Sequence, residues 1–130
     1  MRLVFLSNVY PSPIAPGKGT FNASLVRALT FEDQVRVICP VAWTDQLRRR
    51  GNGLPRKTST IDPNLTVDYP TYYFTPRILR AYYGEFMDWS LRSTLREAIQ
   101  KVRPEAIVSY WAHPDGAVAV KHAHRAGIPA

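Results

Sequence analysis

Residues 1–29, MRLVFLSNVYPSPIAPGKGTFNASLVRAL, carry the pattern on which the fold turns. Leu3 to Leu6 is a continuous apolar run that starts almost at the first residue, as expected of a strand buried on both faces of a parallel sheet. Ser7 to Gly19 is rich in turn residues. Beyond it, Phe21, Leu25, Ala28 and Leu29 recur at helical spacing and define the expected apolar face of a first helix. Gln34 to Cys39 supplies a second strand, ended by Pro40. Strand, glycine-bearing loop, helix and strand make a βαβ unit, in which the helix carries the crossover that parallel strands require.

Further along, periodicity lapses over residues 42–64. There Arg48, Arg49, Arg50, Arg56 and Lys57 surround Gly51, Asn52, Gly53 and Pro55, which predicts a basic mobile loop with a helical turn near Asp45 to Arg49. Leu65 to Tyr69 alternates as a third strand, and Pro70 and Pro76 bracket an aromatic connection, Tyr72-Tyr73-Phe74. Met87, Leu91, Leu95, Ala98 and Val102 then fall on one face of a long helix expected over Ile78 to Val102, while Arg92, Arg96, Gln100 and Arg103 face elsewhere. Asp88 with Arg92, and Glu97 with Lys101, are favourable pairs four residues apart. Pro104 stops this helix, and Ala106 to Trp111 reads as a fourth strand. The turn His113-Pro114-Asp115-Gly116 opens a last helix, with Ala117, Val120 and Ala123 on one side and Gly127 as its end. Four strands alternating with helices predict an α/β, Rossmann-like doubly wound parallel sheet, which binds ligands at the carboxyl ends of its strands. The candidate loops are therefore Asn8 to Gly19, Pro40 to Trp43, Pro70 to Pro76 and Trp111 to Gly116.

With 130 residues, 45% of them hydrophobic, the chain suffices for one domain over residues 1–130 and not for two. Its apolar runs fall far short of the ~20 residues a bilayer span needs, so a soluble, cytoplasmic chain is expected. Cys39 is the sole cysteine, which excludes an internal disulfide framework and a cysteine-based zinc cluster and fits a reducing compartment. Lys and Arg number 17 against 10 acids, a net charge of +7, which favours phosphate groups, anionic lipid or nucleic acid as partners. A solvated loop is the commoner explanation of Arg48 to Arg50. Tyr72, Tyr73, Phe74, Tyr82, Tyr83, Phe86 and Trp89, interspersed with Arg77 and Arg80, belong mostly to the core. The sharper alternative is an amphiphilic patch that touches a membrane or a lipid-linked substrate.

Gly17-Lys18-Gly19-Thr20 precedes the first helix, where backbone N–H groups can receive an anion; the bland alternative is a turn that merely needs glycine. It is not a Walker A loop, because Ser12 stands at the position that must be glycine and Gly19 follows the lysine. Nor is it a dinucleotide fingerprint, since Asn22 replaces the third glycine and the second strand ends in Cys39-Pro40 without an acid. His113 lies where such a sheet presents side chains to a ligand, and Asp115 is expected mainly to cap the last helix. His122 and His124, two apart, point to different faces, so both are expected at the surface and no metal site is anticipated.

Taken in order, Met1 to Ser7 leading to Tyr10-Pro11, Gly17 to Phe21, Val35 to Pro40, Arg103 to Gly116 and Ala126 to Pro129 resemble the opening of family 4 glycosyltransferases of the GT-B fold. The resemblance spans nearly the whole chain and implies the amino-terminal, acceptor-side domain of a retaining enzyme. It implies a nucleotide-sugar donor, a glycan or lipid-linked acceptor, and neither an obligatory metal nor a separate cofactor. Gly17, Lys18 and Gly19 would lie beside the donor's diphosphate or sugar, and His113 near the reacting sugar as the catalytic candidate. Asn8, Tyr10, Trp111 and Asp115 would contact the acceptor. Peripheral contact with the inner face of an anionic membrane is a further expectation, and nucleic acid is not an expected partner. The carboxyl-terminal domain of that family is missing, so the isolated chain is expected to be inactive. With the family's strand order 3-2-1-4, its fourth strand would form an apolar edge prone to association. The competing interpretation is a non-catalytic Rossmann-like module that binds an anionic lipid or a sugar phosphate.

Overall fold

The computed structural model describes residues 1–48 and 59–130. Along the chain run β1 (Arg2–Leu6), α1 (Thr20–Leu29), β2 (Gln34–Ile38), β3 (Val41–Ala42) and α2 (Trp43–Arg48). They are followed by β4 (Ser59–Asp62), β5 (Leu65–Asp68), β6 (Thr71–Tyr72), α3 (Tyr83–Val102), β7 (Ala106–Ser109) and α4 (Ala117–Ala126). The main sheet has the order β4-β5-β2-β1-β7, and its last four strands are parallel. The expected order 3-2-1-4 is therefore found. In register, Phe5 lies opposite Val37 on one side and Val108 on the other.

Burial on both faces explains why the strands read as apolar runs rather than alternating ones. Leu3, Phe5, Val35, Val37, Leu65 and Val67 pack with Val26 of α1. On the opposite face Val4, Leu6, Ile38 and Ile107 meet Met87, Leu91, Leu95 and Ala98 of α3 and Val118, Ala119 and Ala123 of α4. The sheet is thus wound on both sides, and the anticipated core face of α3 is the one observed. That helix starts at Tyr83, later than the expected Ile78, because Arg77 and Leu79 adopt left-handed backbone conformations and a 3-10 turn occupies Arg80–Tyr82.

Two other helices present different faces from those expected. Phe21 and Leu25 of α1 are exposed, and the buried row is Asn22, Val26 and Thr30, because Asn22 is drawn inward by hydrogen bonds to the loop after β1. In α4 Val120 is exposed, whereas Val118, Ala119, His122 and Ala123 are buried. His122, expected at the surface, is held inside by the Asp88 carboxylate, its Nε2 2.8 Å from Oδ1; His124 is exposed as expected.

The expected loop at 42–64 contains two elements, α2 and β4, the latter antiparallel to β5. Arg49, Arg50, Arg56 and Lys57 lie outside the described residues. β7 ends at Ser109 rather than Trp111, and both Tyr110 and Trp111 are half-exposed. β7 closes the strand order, and on its outer side the Ile107 N–H donates to the Pro129 carbonyl at 3.0 Å.

Candidate functional site

From β1 the chain crosses through α1 to β2, and from β5 it crosses through α3 to β7 on the other side of β1. Strand order therefore reverses between β1 and β7, and it is at such a reversal, outside the carboxyl ends of the strands, that doubly wound sheets form the crevice that receives ligands. Two of the candidate loops leave that point, Asn8 to Gly19 after β1 and Trp111 to Gly116 after β7.

A partly buried contact joins them: the Asn8 backbone N–H donates to Asp115 Oδ2 at 2.9 Å. Asp115 does not cap α4 with its side chain, contrary to its expected main role; it reaches back to the first loop instead. It is fully buried, and burial pushes its carboxyl up to about 6, although the Asn8 bond and the charges of Lys18 and His113 pull the other way. Asn22, also fully buried, fixes the first loop from within: Nδ2 donates to the Val9 carbonyl at 2.7 Å and to Ser7 Oγ at 3.4 Å. Gly19 has φ 68°, and a Cβ there would sit 2.3 Å from the Val9 carbonyl oxygen, so the two limbs of the loop touch where only glycine fits. Nothing crowds Gly17. Of the two glycines, the structure requires the second.

The first turn of α1 has no side-chain cap, and exposed Lys18 stands just before it. Helix N–H groups beside a lysine form the kind of setting in which an anion is stabilised. The same junction holds three buried side-chain oxygens without a hydrogen-bond donor among the described residues: Asn8 Oδ1, Asn22 Oδ1 and Asp115 Oδ1. Orphaned acceptors of this kind call for water or for a ligand that brings hydroxyl groups.

His113 is exposed and extended (φ −142°, ψ 133°) within the turn, and its bond to Pro114 is cis. Its Nε2 would lie 3.2 Å from a Cβ placed on Gly84, so the absence of a side chain in the first turn of α3 makes room for the imidazole. Gly116 is needed for a related reason, because a Cβ there would meet the Trp111 carbonyl oxygen at 2.8 Å. Trp111 stands edge-on to Tyr110 at 5.7 Å, and Tyr110 stacks obliquely on Phe21 at 4.9 Å, forming an exposed aromatic ledge from the fourth loop to α1. Tyr10 is not on the open rim: it is buried beside Phe5, and with Asn8 and Lys18 it lines a hollow of about 30 Å³, room for about one water. Cys39 lines the same hollow. Burial pushes its thiol up to about 12, which leaves it protonated and inert near neutrality.

Asn8, Lys18, Gly19, His113 and Asp115 thus belong to one pair of adjoining loops, with Trp111 at its border and Tyr10 beneath. Asn22 and Gly84 were not anticipated as contributors. A polar residue four positions before Val26, in the row that proves to be buried, was the available signal for Asn22. No family model matches the chain, and no curated protein matches it significantly.

Proposed function

We propose that this chain is the amino-terminal, acceptor-side half of a retaining GT-B glycosyltransferase, moving a sugar from a nucleotide-sugar donor to a glycan or lipid-linked acceptor. The observation that carries this reading is the Asn8–Asp115 hydrogen bond, which joins the glycine-bearing and histidine-bearing loops at the point where strand order reverses. On this reading the N-terminus of α1 and Lys18 face the donor diphosphate. The buried oxygens of Asn8 and Asp115 accept hydrogen bonds from sugar hydroxyls, and His113 stands at the reacting sugar. Asp115 acts as a positioning residue that holds the two loops in register.

Leaving-group charge must be met by donors placed around it, and these loops offer one wall of such a cleft. The opposing wall would come from a second Rossmann-like domain. A lipid-linked acceptor fits a second feature: Ile78, Leu79 and Tyr82 are exposed beside Arg77 and Arg80 in the chain, a combination suited to the anionic face of a membrane. No described helix is long and apolar enough to cross a membrane, so such contact would be peripheral.

The test compares the purified 130-residue chain with the protein expressed from its full coding region, each supplied with labelled nucleotide sugars. Transfer is expected from the longer protein alone, with His113→Ala lowering kcat about 10²-fold or more. Absence of transfer by the longer protein from every donor, or transfer by the 130-residue chain, would contradict the proposal.

A further inference from the structure

Away from the loop crevice, α3 and α4 enclose a groove of about 230 Å³, lined by Arg92, Arg96, Ile99, Gln100, His122, Arg125 and Ala126. Arg92, Arg96 and Gln100 form one row at successive steps of four along α3, and Arg125 approaches from α4. Two arginines four residues apart on a helix repel each other. Below them, the buried Asp88 carboxylate is already engaged: Lys121 at 2.7 Å, His122 at 2.8 Å, Arg92 at 3.2 Å and Arg125 at 3.9 Å. Glu85 pairs with Lys121 at 3.3 Å. Arg96 has no charged partner among the described residues. Positive charge is therefore in excess around a concave space, and the anion already present holds the guanidinium groups of Arg92 and Arg125 rather than neutralising all of them.

We propose that the groove between α3 and α4 is a second ligand site, taking one phosphoryl group of a phosphomonoester or of a phosphorylated lipid headgroup, with Arg92, Arg96 and Arg125 as its donors. Planar guanidinium forks match the oxygens of a phosphoryl group and donate to them in pairs. The volume corresponds to roughly eight waters at about 30 Å³ each, which suits a phosphoryl group with part of its ester and falls below the ~300 Å³ at which sites for larger ligands begin. Ile99 and Ala126 supply an apolar wall for the ester portion. Asp88 is a positioning residue here.

The site is independent of the glycosyltransferase reading, and its test uses the intact chain. Inorganic phosphate is titrated at constant ionic strength, followed by calorimetry and by the NMR titration of the His122 imidazole. Burial holds that imidazole below its usual pKa against the pull of Asp88, and Arg125 and Lys121 of α4 also lower it; Arg92 and Arg96 across the groove and, through Lys121, Glu85 are the other charged groups nearby. Bound phosphate should raise the His122 pKa, and R96Q/R125Q, which changes two exposed residues and should leave the melting temperature unaltered, should weaken binding about tenfold or more and abolish the shift. Vesicles of phosphatidylcholine with and without phosphatidic acid separate the sources: retention lost in R96Q/R125Q assigns a lipid headgroup, and phosphate binding without such retention assigns a soluble phosphoester. Phosphate binding that is equal in wild type and variant, or absent from the wild type, would overturn the proposal.

Discussion

Single residues fix the crevice through close approach and through charge. Gly19→Ala would place a Cβ against the Val9 carbonyl oxygen in a left-handed conformation, and a loss of at least about 2 kcal/mol is expected in urea denaturation. Gly17→Ala has open space around it and should leave stability within about 0.5 kcal/mol of the parent. Two buried aspartates give the pH profile opposite slopes. Asp115 has a folded pKa of about 6, raised from 3.8, so the folded state keeps its proton where the unfolded chain has lost it. Its contribution is therefore present at low pH and is lost as pH rises from about 4 to 6, by about 2 to 3 kcal/mol. Burial pushes Asp88 up as well, but the hydrogen bonds from Lys121, His122 and Arg92 outweigh it and hold the carboxyl at about 2. Stability from Asp88 is present above about 4 and disappears as pH falls toward 2. Denaturation midpoints measured across this range should show both arms, and Asp115→Asn should remove the upper one alone. A profile unchanged by Asp115→Asn would contradict the raised pKa.

Among the elements, α3 ties the molecule together: it lays four fully buried residues on the sheet and carries the carboxylate that docks α4. Asp88→Ala would leave Lys121 and Arg92 without that partner and His122 buried without its hydrogen bond. Removing one member of a buried ion pair costs about 3 to 5 kcal/mol; because the arginine and lysine here are partly exposed, about 2 kcal/mol is expected. Amide exchange in α4 should quicken in that variant more than exchange in α1, and equal quickening would argue against a local docking role. The core face of α3 was legible in the sequence because Met87, Leu91, Leu95 and Ala98 stand out against charged neighbours. The faces of α1 and α4 were not, because Asn22 and His122 are polar residues buried by partners on distant segments. A periodicity of apolar residues cannot register them, and it favoured Phe21, Leu25 and Val120, which lie outside.

For the whole molecule, the alternation of strands with helices and the choice of loops followed from apolar runs covered on both faces and from the crossovers that parallel strands demand, whereas the strand order 3-2-1-4 came only with the family resemblance. The sequence could not disclose that Asp115 spans 107 residues to meet Asn8, since a carboxylate just before a helix ordinarily caps it. The basic row Arg92, Arg96 and Gln100 was visible as a face turned from the core, but its role as a groove wall depends on Arg125 and His122 arriving from α4. The most direct test of the site at the reversal of strand order is amide chemical-shift mapping of the isotope-labelled chain with a series of nucleoside-diphosphate sugars. It is best made on R96Q/R125Q, so that the α3–α4 groove does not compete for the diphosphate. Shifts are expected to gather on Asn8, on Gly17 to Thr20 and on the turn from His113 to Gly116, excluding Pro114, which has no amide proton. Shifts confined to one of the two loops, or absent from both at saturating ligand, would contradict a shared crevice.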